Sequence, residues 1–188
     1  MKIKIMFFSI FVLFSLSFAV NVLAETKLAD FSLQDLDNKT FRLKDNLGKK
    51  IILIDFWATW CKPCIREMVH LEKMYKEFEK NDFVVLGVCC DNTSTVSRVK
   101  PFVKANKYSF PILMDTNSSV LELYNPTKTL PYSVLINKEG KIVKIHKGYN
   151  DGDEKILREE IMALFPEVPV EPAMLQESDK TDEPTKKE

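Results

Sequence analysis

Two thiols separated by two residues carry the chemistry most legible in this chain. Cys61 and Cys64 stand in Trp60-Cys61-Lys62-Pro63-Cys64, directly after the apolar run IILIDFW at 51–57. A pair at that spacing, where a buried strand hands over to a helix, can close into a small disulfide ring and reopen, which is dithiol exchange. A helix N-terminus offers unpaired N–H groups and the positive end of the helix dipole, so it stabilises a thiolate at Cys61. Lys62 adds a positive charge beside it. Pro63 suits a first helical turn, where its missing N–H would have no partner. Zinc is the competing reading of the same spacing, and it requires two further ligands, usually a second C-x-x-C or a pair of histidines. Cys89 and Cys90 are adjacent in sequence and His70 and His146 stand alone. Redox chemistry is therefore favoured, with no metal and no cofactor expected beyond the Cys61/Cys64 disulfide itself.

The elements that must position these thiols follow from periodicity. Residues 31–36 and 40–43 alternate apolar and polar around Asp37-Asn38-Lys39, a hairpin pattern. The runs 51–57 and 83–90 are continuously apolar, as strands buried on both faces are. Between them the spacing predicts a helix over 61–80, with Ile65, Met68, Leu71, Met74, Tyr75 and Phe78 on one face. A second helix is expected over 95–107, where Pro101 implies a late start or a kink. A short strand at 111–114 and a short helix at 118–124 come next. Strands at 132–136 and 142–146 flank a turn at Gly140, and a closing helix at 153–165 buries Ile156, Leu157, Ile161 and Leu164. The order is that of an α/β domain, a central sheet covered by helices on both faces.

The whole chain sets the setting. At 188 residues and 45% hydrophobic it accommodates one well-cored domain with tails, and a monomer is expected. Its net formal charge is zero and no basic tract precedes the terminal lysines, which argues against nucleic acid as a partner. Lys2 and Lys4 followed by an uncharged stretch to Ala24 read as a secretory signal over 1–24. The alternative is an uncleaved anchor, since twenty uncharged residues just span a bilayer core of roughly 30 Å; Ser9, Ser15, Ser17 and Asn21 weaken it as a permanent span. No cysteine lies near the cleavage point, which disfavours a lipid anchor. Either way the domain at 25–165 faces the outside of the cytoplasm, in the periplasm if the signal is removed, where disulfides form and persist. Residues 166–188 are rich in Pro, Glu, Asp and Lys and poor in large apolar residues, and read as a disordered charged tail.

Four stretches together, ADFSLQDLDNKTFRL, IILIDFWATWCKPCIREM, the αβ segment ending SFPILMD, and TLPYSVLINKEGKIV, resemble the thioredoxin-fold proteins of the TlpA/ResA-like group of exported thiol-disulfide oxidoreductases. The resemblance spans nearly all of 28–165. It implies a thioredoxin-like central mixed sheet flanked by helices, with an N-terminal β-hairpin and an extra αβ insertion. Peroxiredoxins share the hairpin and the FPILMD-like segment, but their peroxidatic cysteine lacks this C-x-x-C partner. By matching position, Cys61 is the attacking thiol and Cys64 the resolving thiol. Pro131 follows a cis peptide bond beside the disulfide, and Leu130 offers backbone groups to an extended client. Trp60, Lys62 and Pro63 flank the same client-binding face. Asp55, six residues before Cys61, takes the position of the buried carboxylate of true thioredoxins, which exchanges a proton with the resolving thiol; many TlpA/ResA-like chains have Asn there. Val69 replaces a proline that often kinks the first helix. Cys89 and Cys90 lie outside the family pattern. On a strand they point to opposite faces, as two small buried hydrophobes, with a vicinal disulfide or second relay as the alternative. His70 and His146 are expected at the surface.

The group implies reduction of protein disulfides, among them those of apocytochrome c before haem attachment, with electrons from a membrane thiol relay. A general oxidase or isomerase of exported proteins is the rival among enzymes. A thioredoxin-fold binding or chaperone module without turnover is the rival of another class.

Overall fold

The computed structural model describes residues 28–165. The expected signal or anchor at 1–24 and the charged tail at 166–188 lie outside the described residues. The elements are β1 (Ser32–Asp35), β2 (Thr40–Arg42), β3 (Ile51–Trp57), α1 (Lys62–Phe78), β4 (Phe83–Cys89) and α2 (Val99–Asn106), then β5 (Ile112–Met114), α3 (Ser119–Tyr124), β6 (Tyr132–Ile136), β7 (Ile142–Lys147) and α4 (Asp153–Met162). All seven strands form one mixed sheet in the order β2-β1-β5-β4-β3-β6-β7. Its centre is parallel, β3 with β4 and β4 with β5, while β6 runs antiparallel to β3, and β1 runs antiparallel both to β5 and to its hairpin partner β2.

Strands β3 and β4 are buried at every position because each has strand neighbours on both sides and packed layers on both faces. The period of two then sorts their side chains. Ile51, Leu53 and Trp57 enter a cluster with Met68, Leu71, Met74 and Phe78 of α1 and Leu157 and Ile161 of α4. Ile52, Ile54 and Phe56 enter a second cluster with Val120 and Leu121 of α3. Gly87 lies opposite Asp55 in the β3/β4 register. A Cβ there would come within 2.8 Å of Phe110 and 2.9 Å of Ile112, so only glycine lets the aromatic layer approach β4.

The late start that Pro101 implied is observed, and one expectation, the buried stripe of the last helix, needs revision. The helix predicted over 95–107 starts late: residues Val96–Arg98 form a 3₁₀ turn and α2 begins at Val99. Pro101 thereby falls in the first turn, where its missing N–H leaves no helical bond unmade. In α4, Leu157 and Ile161 are buried, whereas Ile156, expected in the same stripe, is 54% exposed. The helix lies at the margin of the sheet against α1, and a seam of residues four apart suffices to dock it. Helix α1 runs unbroken past Val69, which is exposed.

Candidate active site

The C-terminal end of β3 delivers the chain into a short turn, and Cys61 is the N-cap of α1. Cys61 and Cys64 are joined in a disulfide with Cα atoms 5.3 Å apart. The Cys64 N–H points at Cys61 Sγ at 3.3 Å, so the helix end aims a donor at that sulfur. Such a donor favours negative charge there once the bond is opened. Cys61 retains 6% exposure and Cys64 none. An incoming disulfide can reach only the first sulfur. Trp60, 58% exposed, projects beside it, Lys62 is exposed and Pro63 lies half-buried in the first turn.

The Leu130–Pro131 peptide is cis. Leu130 packs against the cluster that contains both cysteines, and the Pro131 carbonyl accepts the Gly148 N–H at 2.9 Å, which ties the head of β6 to the end of β7. The loop before it is braced by Asn125, whose side-chain amide donates to the Thr129 carbonyl at 2.9 Å. The seven residues that the sequence assigns to the redox centre and its client face, Trp60 to Cys64 with Leu130 and Pro131, therefore fall at two places, the turn and first residues of α1 and the loop leading into β6, where Leu130 packs against the disulfide-bearing cluster.

Beneath α1 lies a polar group that the sequence reveals only in part. Asp55 is fully buried, and directly across the β3/β6 pair stands Ser133. Ser133 Oγ is 3.1 Å from Asp55 Oδ1 and 3.2 Å from Glu67 Oε1. A hydroxyl has one proton to donate, so it can donate to one carboxylate and must accept from the other carboxyl. The pair consequently holds a proton. Burial pushes the Asp55 carboxyl up, and it pushes Glu67 up further, with the neighbouring Asp55 charge adding to the effect. Asp55 Oδ2 and Glu67 Oε2 are buried without a hydrogen-bond partner among the described residues. Glu67 follows Cys64 by three residues, one turn along the same helix face, so the chain of contacts runs from the helix that bears Cys64 through Ser133 to Asp55. Glu67 also lines a cavity of about 160 Å³ bounded by His146, Tyr149, Asp153 and Glu154.

Glu67 and Ser133 were not picked out from sequence. The available signal was a Glu on the apolar face of a predicted helix, between Cys64 and Leu71. Cys89 and Cys90 are free and buried, and they divide between the two core clusters as opposite-facing neighbours do. Burial holds both thiols far above the ordinary range. His70 is half-buried near Tyr149, and His146 is half-buried with its Nε2 2.7 Å from Glu160 Oε2.

Residues 24–145 match the AhpC/TSA family model. The chain belongs to the AhpC/TSA family. The thiol-disulfide oxidoreductase ResA of Halalkalibacterium halodurans is 35% identical over 156 residues, covering 79% of this chain and 85% of that protein. A solved structure described as a putative thiol:disulfide interchange protein DsbE from Chlorobium tepidum superposes with a TM-score of 0.67 at 28% identity, over 73% of this chain and 94% of that one. An exposed lipoprotein thioredoxin from Streptococcus pneumoniae superposes at 0.58 with 33% identity, over 70% of this chain and 99% of that one. The fold is thus thioredoxin-like. Among the described residues no helix is long and apolar enough to cross a membrane.

Proposed function

We propose that this chain is an exported thiol-disulfide oxidoreductase that reduces disulfides in client proteins. The observation that carries this is the closed Cys61–Cys64 ring, with the reachable sulfur at a helix N-terminus and the sealed one a turn behind, over carboxyls that hold a proton. Reduction takes two displacements. The Cys61 thiolate attacks a client disulfide, forming a mixed disulfide, and the displaced client sulfur leaves as thiolate and is protonated by solvent. Asp55 then takes the proton of Cys64, whose thiolate attacks Cys61 Sγ, closes the ring and releases the second client sulfur. Two electrons have passed from the dithiol to the client. A thiol donor held at the membrane returns them by the reverse exchange and reopens the ring. The disulfide is the only redox group that this cycle needs.

Trp60, Lys62 and Pro63 with Leu130 and Pro131 form the client face, where an extended segment lies along the backbone at Leu130. The resemblance to the TlpA/ResA-like group supports apocytochrome c as client, reduced at its C-x-x-C-H segment before haem is attached. Lys2, Lys4 and the uncharged stretch to Ala24 support export with removal of 1–24, leaving a domain at 25–165 and a charged tail at 166–188, acting as a monomer in the periplasm. The test is reduced protein mixed with a peptide carrying an oxidised C-x-x-C-H, compared with insulin. Reduction of the peptide at least about tenfold faster is expected. Faster oxidation of reduced clients than reduction of oxidised ones would replace this role with that of a general oxidase.

A further inference from the structure

The turn that presents Cys61 is held by a carboxylate from the segment that follows β4. Asp91, fully buried two residues past the end of β4, receives the Thr59 N–H on Oδ2 at 2.7 Å and the Thr59 hydroxyl on Oδ1 at 2.6 Å. The Cys89 thiol donates to Oδ2 at 3.3 Å. Backbone bonds bracket the same turn, from Cys90 N–H to the Trp57 carbonyl at 2.8 Å and from Cys61 N–H to the Ala58 carbonyl at 3.0 Å. Burying a carboxylate is expensive unless its oxygens are satisfied. Here both oxygens are satisfied mainly by one residue, Thr59, gripped through main chain and side chain at once. Charge-assisted bonds of this length are about twice as strong as neutral ones.

We propose that Asp91 and Thr59 are positioning residues for the redox couple, a clamp that keeps Cys61 in ring-closing distance of Cys64 when the disulfide is open. While the ring is closed, the S–S bond itself restrains the turn. Once it is reduced, Thr59, Trp60 and Cys61 are restrained by the clamp, the N-terminal turn of α1 and the backbone bonds. The clamp's bonds are made with the ring closed, where the S–S bond has already ordered the turn and they cost no further ordering, so they stabilise the closed ring more than the dithiol and raise the effective concentration of one sulfur toward the other. Ring closure is thereby favoured and the pair is made a stronger reductant. The inference rests on the Cys61–Cys64 couple alone and not on the client or the direction of electron flow proposed above.

The test is equilibration of the full chain with glutathione buffers, comparing wild type with Asp91→Asn, Thr59→Val and Thr59→Ser. Asp91→Asn places an amide donor against the Thr59 donors, and the equilibrium constant for ring closure is expected to fall about tenfold, or about 30 mV for a two-electron couple. Thr59→Val loses the hydroxyl bond only and is expected to fall about threefold. Thr59→Ser keeps both bonds and stays within twofold of wild type. A clamp that served stability alone would lower the melting temperatures of oxidised and reduced protein equally and leave the equilibrium constant unchanged; that result overturns the proposal. If Asp91→Asn does not fold, Thr59→Val decides, and a wild-type equilibrium constant for it overturns the proposal equally. A wrong choice of client would leave all four glutathione equilibria unaffected, so the two ideas fail separately.

Discussion

Two pairs of cysteines sit in the same hydrophobic framework, yet only one of them can exchange. Cys61 and Cys64 are three apart at the start of a helix, which puts their sulfurs on one side of the first turn and joins them in a disulfide. Cys89 and Cys90 are neighbours at the end of an extended strand, so one thiol enters the layer under α1 and the other the layer under α3. The first pair meets helix N–H donors at a surface edge. The second meets apolar side chains and nearby carboxylates, and burial keeps both thiols protonated. Proximity in sequence therefore says little about thiol chemistry; the backbone conformation between the two residues decides whether they face each other, and the surroundings decide whether either can ionise.

The contrast can be broken most severely at the first pair. Cys61→Ser should abolish disulfide reduction, whereas Cys64→Ser should accumulate mixed disulfides with clients on Cys61, read by non-reducing gels and mass spectrometry. Capture by the Cys61→Ser protein instead would reverse the assigned roles. Next in size is the proton transfer proposed between Asp55 and Cys64. Asp55→Asn should slow resolution of the mixed disulfide about 100-fold at neutral pH, measured by stopped-flow reduction of a protein disulfide across pH. Superimposable profiles for the two proteins would leave Asp55 as a buried polar residue without a part in the exchange.

A smaller effect concerns stability. Glu67 is raised to about 9 in the folded chain, above its unfolded value, so the folded state retains a proton that the unfolded state releases. Stability from this group is then full below the ordinary carboxyl value of 4.5, falls progressively as pH rises above it, and is gone once pH has passed about 9. Thermal melts of wild type should fall across that range, and Glu67→Gln should flatten the decline. A slope identical in the two proteins would assign it to other groups. The smallest effect is expected at the second pair. Cys90→Ala should cost about 1 kcal/mol through the cavity left behind and leave turnover within twofold of wild type. After mild reduction, alkylation in native buffer should label Cys61 and spare Cys89 and Cys90 until denaturant is added. Rapid native labelling of Cys90 would mean that this strand opens far more readily than its packing implies.

Much of the redox centre was readable from residue order because its logic is local. A run of apolar β-branched residues specifies a buried strand, a C-x-x-C with an internal proline specifies the first turn of a helix, and the periodicity of Met68, Leu71 and Phe78 specifies the face on which that helix lies. The same patterns foresaw that Cys89 and Cys90 would part to opposite sides of the sheet. Local pattern was less able to tell how wide a buried stripe is, which depends on how many neighbours a helix has: Ile156 is apolar and in phase, yet exposed, because α4 docks along a narrow seam.

By itself, then, the sequence determined the identity and spacing of the reacting sulfurs, the strand and helix that carry them, and the presence of a carboxyl at Asp55 on a buried strand. Tertiary structure alone decided what surrounds them. Ser133 reaches Asp55 only through the antiparallel register of β6 on β3, and Glu67 joins them only because α1 lays that face on the sheet. Asp91 meets Thr59 only because β4 runs beside β3. These partners lie 32 to 78 positions apart in the chain. No periodicity spans such distances, since it is the sheet register and the packing of one helix that bring them within hydrogen-bond reach.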